Sequence, residues 1–172
     1  MSNTTNLAQK DCVKGDWYGN GPRDAMAGYE NSKVHSHRQE CSEHGVRVDL
    51  NRYEQGHRKG LMQFCTRANG YKQGSKGWSF KEVCPDKLKA DFLEGYTAGI
   101  SNALERAELE LRPAKWRHRQ KKHLLKNEKS EKKRKKLSES LSRLEREVER
   151  RFKEVQQLQK LQNKADFLYR KH

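Results

Sequence analysis

The chain has 172 residues, of which 32% are hydrophobic and 35% charged, and its formal net charge is +15. The length suits about one domain, but this composition excludes a single evenly filled globule, so part of the chain must be extended. No apolar run approaches the roughly 18 residues of a membrane-spanning helix, and the first residues lack the basic and apolar regions of an export signal.

The composition changes near residue 100. All twelve glycines and all four cysteines precede it. Residues 1–100 carry 15 basic and 12 acidic side chains, a net +3, whereas the remainder carries 23 and 11, a net +12. We therefore predict a mainly α protein with three parts: a disordered N-terminus over 1–11, a Cys/Gly-rich helical module over 12–100, and an extended charged helix or coiled coil over 101–172.

The cysteines are even in number and spaced 19 to 29 residues apart: Cys12, Cys41, Cys65 and Cys84. This pattern is typical of a small domain that needs covalent support in an oxidising compartment, so we predict two disulfides. Three connectivities are open, and we favour local pairing of Cys12 with Cys41 and of Cys65 with Cys84. The cysteines also favour a mature exported protein over a cytosolic one.

Three segments of the module share the pattern aromatic-x-x-Gly-x-x-x-small: Tyr18/Gly21/Ala25, Tyr53/Gly56/Gly60 and Phe92/Gly95/Gly99. At helical spacing each segment presents a flat strip beside a ring, which predicts helices that pack closely; a ligand site on the bare backbone is the alternative. Pro22 suits the first turn of a helix over 22–30.

Carboxylates occur at or near the expected helix starts, where they cap amides and favour the helix dipole: Asp16, Asp24, Asp49 and Asp91. Residues 69–78 contain three glycines among Asn, Ser and Lys, which predicts a loop. Phosphate binding by Lys72 and Lys76 there is a weaker alternative, because the Gly-Lys-Ser/Thr order of a nucleotide loop is missing.

Six motifs mark the module: Cys12-x3-Asp16-Trp17-Tyr18-x2-Gly21-x2-Asp24-Ala25-x2-Gly28, His37-x3-Cys41-x3-Gly45, Tyr53-x2-Gly56-x3-Gly60-Leu61-x2-Phe64-Cys65-Thr66, Asn69-Gly70-Tyr71-x2-Gly74-x2-Gly77, Val83-Cys84-Pro85 and Phe92-x2-Gly95-Tyr96-x2-Gly99. By these motifs the module resembles a family of small bacterial envelope lipoproteins of unknown function. The chain has Ala25 where the family pattern has Gly, and Phe64 where it has Tyr. The resemblance implies a cell-envelope setting and a lost lipoprotein signal, with no established activity.

Metal binding and catalysis are the competing interpretations of the module. His35, His37, Cys41 and His44 lie within ten residues, but zinc motifs bring two paired clusters, so we predict surface or capping histidines and no metal or cofactor. His57 and Cys65, eight residues apart on one helix, do not face each other as a nucleophile and base would. No acid, base and oxyanion set is complete, and we predict no enzyme.

The tail begins with apolar residues at helical spacing, Ile100, Leu104, Ala107 and Leu111, after which Pro113 is expected to kink or restart the helix. A heptad-like ladder follows, interrupted by Arg151 and Gln162: Leu137, Leu141, Leu144, Val148, Val155, Leu158 and Ala165. The stripe predicts a coiled coil, and it is broad enough to suit a hairpin or a multi-helix contact as well.

Residues 115–136 carry twelve Lys or Arg against two Glu. The predicted interaction residues among them are Lys115, Arg117, Arg119, Lys121, Lys122, Lys132, Lys133, Arg134, Lys135 and Lys136. A solvated helix face, an anionic lipid or lipopolysaccharide surface, an acidic protein partner and a nucleic acid all suit such a block. Trp116 alone provides aromatic interleaving, which disfavours nucleic acid.

The sequence as a whole predicts a non-enzymatic scaffold or adaptor of the bacterial cell envelope, periplasmic or lipid-anchored. Its tail is expected to dock a protein partner, self-associate, or contact an anionic surface. A nucleic-acid-binding protein that uses 115–136 is the alternative, and a metal-binding module is a weaker one.

Overall fold

In the computed structural model, which describes residues 9–170, every regular element is an α-helix, so the mainly α prediction is confirmed. The helices of this range are α1 (Gln9–Lys14), α2 (Trp17–Met26), α3 (Lys33–Ser42), α4 (Leu50–Phe64), α5 (Arg67–Ser75), α6 (Asp86–Asn127) and α7 (Glu131–Tyr169). None of these helices is long and apolar enough to cross a membrane. Residues 1–11 were predicted to be disordered. Of these, 1–8 lie outside the described residues, and 9–11 belong to α1.

The chain forms two compact units, and α6 contributes residues to both. The first unit comprises the residues up to Gly70 together with Lys81–Phe92. The second comprises Tyr71–Phe80 and the residues from Leu93 onward.

In the first unit, α2 and α4 cross at two glycines. A Cβ atom added to Gly21 would lie 2.5 Å from the amide nitrogen of His57, and one added to Gly56 would lie 2.8 Å from Cδ of Pro22. No real Cβ tolerates such distances, so only glycine lets these two backbones touch. Close helix packing is therefore what the glycine repeats provide here.

Both disulfides join neighbouring cysteines, which confirms the local pairing. The Cα atoms of Cys12 and Cys41 are 5.4 Å apart, and those of Cys65 and Cys84 are 5.6 Å apart. The first bridge is fully buried and belongs to a core cluster with Trp17, Val34 and Tyr53. Covalent and apolar contacts thus stabilise the same small core.

Two of the four predicted capping carboxylates cap helices. Asp16 accepts a hydrogen bond from the Gly19 amide, and Asp49 accepts one from the Arg52 amide, both at 3.0 Å. The capping role predicted for Asp24 and Asp91 is wrong: Asp24 lies inside α2, and Asp91 lies in the second turn of α6, where it forms an ion pair with Arg67 at 3.6 Å.

The loop predicted over 69–78 is wrong for most of its length, because α5 continues to Ser75. Gly74 of α5 packs closely against Gly99 of α6. A Cβ atom added to Gly74 would lie 2.8 Å from the Ile100 amide nitrogen, and one added to Gly99 would lie 2.7 Å from the Ser75 amide nitrogen. This close contact with α6 compensates for the poor helix propensity of glycine.

Two further boundaries differ from the prediction. Helix α2 begins at Trp17 instead of residue 22, because Asp16 caps it, and Pro22 lies inside the helix. Helix α6 continues through Pro113, which therefore does not restart it.

The four crossing glycines reveal a tandem repeat. The pattern Cys-x5-Tyr-x2-Gly occurs at Cys12/Tyr18/Gly21 and again at Cys65/Tyr71/Gly74, and Cys-x11-Tyr-x2-Gly occurs at Cys41/Tyr53/Gly56 and again at Cys84/Tyr96/Gly99. Each repeat therefore consists of one disulfide and one glycine crossing of two helices. The third predicted segment, Phe92/Gly95/Gly99, began one helical turn too early. In the repeated Tyr-x2-Gly pattern the tyrosine is Tyr96, and the glycine is Gly99.

Candidate functional site

The second unit contains an antiparallel helical hairpin made of α6, from Leu93 onward, and α7. Its helices are joined by ion pairs and hydrogen bonds whose residue numbers rise on one helix as they fall on the other. These are Ser101 with Gln162 (3.0 Å), Glu110 with Arg151, Arg117 with Glu147 (3.1 Å) and His118 with Glu145 (3.4 Å). The two residues that interrupt the predicted ladder, Arg151 and Gln162, are thus contacts to α6.

The apolar seam of the hairpin is buried only near its base. On α6 it comprises Ile100, Ala103, Ala107, Leu111 and Ala114, and on α7 it comprises Val155, Leu158 and Ala165. The other ladder residues, Leu137, Leu141, Leu144 and Val148, are half-buried. No residue from 115 to 154 is fully buried, so the outer part of the hairpin is a two-helix arm without a closed core.

The end of this arm is strongly basic. We define the basic tip as residues 121–136, which flank the turn at 128–130 and include eight Lys and one Arg against two Glu. Arg134 donates hydrogen bonds to the carbonyl oxygens of Leu125 and Glu128, which closes the turn. Within the described residues, no carboxylate lies at ion-pair distance from any Lys or Arg of the basic tip.

Of the other predicted interaction residues, Arg117 pairs with Glu147, and the Lys115 ammonium lies 5.2 Å from the centre of the Phe152 ring. Arg119 has no carboxylate at ion-pair distance among the described residues. The structure therefore brings most of the predicted cations to one end of the hairpin and leaves their charge uncompensated.

A groove follows the same part of the hairpin. Two adjoining shallow cavities of about 410 and 400 Å³ lie between α6 and α7, and both are lined by Lys121, Leu124 and Ser140. Trp116 and Leu144 line the first cavity, and Leu137 lines the second. The surface next to the basic tip is thus partly apolar.

A second candidate site is a buried polar cluster in the first unit. One carboxylate oxygen of Asp24 lies 2.6 Å from Nε2 of His37 and accepts a hydrogen bond from the Tyr53 hydroxyl at 2.8 Å. The ring of His57 stacks on Tyr53, and its Nε2 lies 2.8 Å from the carbonyl oxygen of Tyr29. Both histidines are only 3% exposed.

The electrostatics of this cluster favour a charged Asp24. Burial raises the pKa of the Asp24 carboxyl, but the hydrogen bonds from His37 and Tyr53 and the charge of His37 lower it by more, so it lies below its ordinary value. Burial and the neighbouring Asp24 raise the pKa of the Tyr53 hydroxyl above its ordinary value. Tyr53 is therefore a hydrogen-bond donor, not a base, at neutral pH.

The second repeat has apolar residues where the first has this cluster. Phe80 precedes Cys84 as His37 precedes Cys41, and Ile100 follows Gly99 as His57 follows Gly56. The ring centres of Phe80 and Tyr96 are 5.6 Å apart, close to the 5.9 Å between His37 and Tyr53. The Tyr96 hydroxyl donates to the carbonyl oxygen of Trp78, and burial raises its pKa to about 12.

The histidines and cysteines considered for metal binding and catalysis are placed apart or already bonded. Cys41 and Cys65 are in disulfides, which removes the thiolates that a zinc site or a cysteine nucleophile requires. His35 and His44 are exposed, whereas His37 is buried against Asp24, so the surface or capping role predicted for His37 is wrong. The polar cluster was not predicted from the sequence; of its residues, only Tyr53 is marked by a repeated spacing, Cys-x11-Tyr.

The comparisons with known proteins concern the disulfide module. A family model described as a protein of unknown function (DUF2799) matches residues 16–101. The chain belongs to this family. The predicted membership of a family of unknown function is thereby confirmed over nearly the residues that carried the resemblance.

The DUF2799 match contains both crossings of the tandem repeat and the polar cluster, and it ends at the base of the hairpin. The basic tip lies outside it. Neither the search of curated proteins nor the search of solved structures found a match to the chain.

Proposed function

We propose that this protein is a non-enzymatic scaffold or adaptor of the bacterial cell envelope that docks on an anionic membrane surface through its helical hairpin. The uncompensated charge of the basic tip carries the proposal: nine cations surround one turn, and no described carboxylate pairs with them. A solvated helix normally intersperses both signs, whereas a single-sign end attracts a polyanion.

The disulfides support the envelope setting. Two bridges close loops of 29 and 19 residues inside a small module, and such bridges persist in oxidising compartments and are rare in the cytosol. A lipid anchor on the native precursor belongs to the same proposal, as the family resemblance implies it.

The kind of cation supports a surface over a shaped ligand. Eight of the nine cations of the tip are lysines, which act as mobile point charges, whereas arginine is preferred where a phosphate is held in a fixed two-pronged geometry. A membrane presents many equivalent phosphates and requires no such geometry. Each Lys or Arg close to an anionic leaflet contributes about 1 kcal/mol.

The proposed lack of enzymatic activity is supported by how the reactive groups are used. All four cysteines are disulfide-bonded, and the Asp24 carboxylate is hydrogen-bonded to two side chains of its own unit.

The test is vesicle co-sedimentation with a charge variant and a matched control. The tip variant changes Lys132, Lys133, Lys135 and Lys136 to Gln, and the control changes four exposed lysines elsewhere: Lys10, Lys14, Lys72 and Lys87. Wild type and control are expected to bind phosphatidylglycerol vesicles at about 0.1 M salt and to be released at about 1 M, as the screening length falls from about 10 to 3 Å. The tip variant should bind at least about tenfold more weakly, given about 1 kcal/mol per lysine.

Two results would contradict the proposal. Equal binding by the tip variant and the control would mean that the tip is not the docking element. Absence of vesicle binding together with tight, salt-sensitive binding of duplex or single-stranded nucleic acid would favour the nucleic-acid alternative instead.

A further inference from the structure

Three exposed apolar side chains follow one side of α6. Leu109 is 55% exposed, Trp116 57% and Leu124 55%. Their spacings of seven and eight residues correspond to about two helical turns each, so at about 100° per residue they fall within about 80° of one another around the helix. We call this stripe the outer face of α6.

The outer face lies on the far side of α6 from the buried seam, while Trp116 and Leu124 also border the groove between α6 and α7. The seam residues Ala107, Leu111 and Ala114 are buried, and by the same helical spacing their mean direction lies about 150° from the outer face. The hairpin leaves Leu109, Trp116 and Leu124 more than half exposed. An exposed stripe of large apolar side chains at regular spacing indicates a contact with something outside the hairpin.

From residue 111 to residue 127 the charges around the outer face all have one sign, whereas Glu105, Glu108 and Glu110 surround Leu109. Residues 111–127 of α6 contain seven Lys or Arg and no Asp or Glu. By helical spacing Arg112, Arg119 and Lys126 flank the stripe on one side, and Arg117 and Lys121 flank it on the other. Around Trp116 and Leu124 the outer face therefore has two cationic borders, which is the pattern of a helix that lies in the interface of an anionic bilayer.

Tryptophan is well suited to this position. Its ring is largely apolar and carries one N–H donor, and such side chains are enriched where hydrocarbon meets headgroups. Long Lys and Arg side chains beside it reach the phosphates while their methylene stems remain at the apolar boundary. Trp116 lies between Leu109 and Leu124, with a cation next to it on each side in the sequence.

We infer that the outer face of α6 inserts into the interfacial layer of an anionic bilayer, with Trp116 as its central anchor, so that the hairpin lies along the membrane surface. This inference rests on the proposed function and adds the contact face and its orientation. It makes an apolar contribution to binding that the basic tip alone does not provide.

The experiment uses Trp116 as its own probe. The exposed Trp78 is replaced by Phe, while the buried Trp17 stays as a constant signal. With phosphatidylglycerol vesicles, the Trp78→Phe protein should show a blue-shifted emission and quenching by lipids brominated near the top of the acyl chain. The Trp78→Phe/Trp116→Phe protein should show neither change.

Affinity is measured in parallel. The variant Leu109→Gln/Trp116→Gln is expected to bind these vesicles about tenfold more weakly, because the lost insertion of two large apolar side chains reduces binding. The matched control changes two equally exposed apolar residues of the first unit, Val13→Gln/Met62→Gln, and should bind as wild type does. Circular dichroism of both variants checks that the helices are intact.

The outcomes separate the inference from the proposed function. If Trp116 is not quenched and Leu109→Gln/Trp116→Gln binds like the control, while the tip variant still loses binding, the inference is wrong and docking is purely electrostatic. If wild type does not bind anionic vesicles at all, the proposed function fails with it.

Discussion

Asp24 receives two hydrogen bonds on one carboxylate oxygen, and the second repeat closes the same helix crossing without such a group. The fold of a repeat therefore does not require a buried carboxylate. At the residue scale, the polar cluster is therefore a feature of the first repeat alone, within a fold that both repeats share.

The charge of Asp24 makes a pH-dependent contribution to stability. Its folded pKa lies below its value in the unfolded chain, about 4, so the ionised carboxylate stabilises the fold above about pH 4, and this stability is lost as pH falls through the folded pKa. We expect Asp24→Asn to cost about 1 to 3 kcal/mol at pH 7 and clearly less at pH 2.5. Urea unfolding of both proteins measures this, and an equal gap at both pH values would contradict it.

The second repeat suggests how to replace His37. Phenylalanine occupies the corresponding position, Phe80, and retains the ring contact with tyrosine. We expect His37→Phe to melt above His37→Ala, because alanine leaves a cavity beside Tyr53 whereas phenylalanine fills it. Thermal unfolding checks the order, and the opposite order would mean that the hydrogen bond to Asp24 matters more than the packing.

Residue roles were predictable only where they depend on local sequence. Asp16 and Asp49 cap helices that begin beside them, and their position in the sequence identifies that role. In the sequence, Asp24 is 13 residues from His37 and 29 residues from Tyr53. Only the packing of α2, α3 and α4 brings the three side chains together.

At the scale of the elements, glycines occupy two kinds of position: those where a side chain would collide with a neighbouring helix, and those where it would meet open space. An alanine at Gly21 would place its Cβ 2.5 Å from the His57 amide, whereas Gly45 has a φ of +70° and open space around its side. We expect Gly21→Ala to cost about 3 kcal/mol or more, because the helices must move apart, and Gly45→Ala about 1 kcal/mol from backbone strain alone. Chemical denaturation gives both values, and similar costs would mean that the crossing adapts.

The hairpin should be least stable toward its tip. No residue from 115 to 154 is fully buried, while the seam from Ile100 to Ala114 is closed. Amides of the tip are therefore expected to exchange with deuterium well before those of residues 100–111, since local opening there exposes little apolar surface. Mass spectrometry of peptides after brief labelling measures the order, and uniform exchange along α6 would contradict it.

The elements show why some helices were predicted and one was not. The spacing from Ile100 to Leu111 identifies a helix without any tertiary information. In α5, glycine and asparagine are typical of a loop, and the helix is stabilised by its contact with α6 at Gly74 and Gly99. The local sequence contains no trace of that contact except the repeated Tyr-x2-Gly.

At the scale of the whole molecule, the disulfides are the testable link to the compartment. If the protein is taken from its native host and alkylated before reduction, we expect all four cysteines to resist alkylation and to map as Cys12–Cys41 and Cys65–Cys84. Each bridge should contribute about 3 kcal/mol by the loop-entropy model. Four alkylated thiols would contradict the envelope setting and favour a cytosolic protein.

The change in net charge and the end of the family match fall at nearly the same residue. The family match ends at residue 101, and the +12 of the tail begins there. The division was readable from composition, because glycine, cysteine and charge change together. The antiparallel return of α7 onto α6 was not, since a broad apolar stripe serves a dimer, a bundle and a hairpin equally well.

The order of the bridges bears on how the protein reaches its native state. Each bridge joins a cysteine to the next one in the sequence. In the proposed envelope setting, a thiol oxidase that meets the chain as it emerges from a translocation channel, N-terminus first, would find the correct partners as each successive pair arrives. Maturation in that setting would require oxidation only, without an isomerase to reshuffle wrongly paired cysteines.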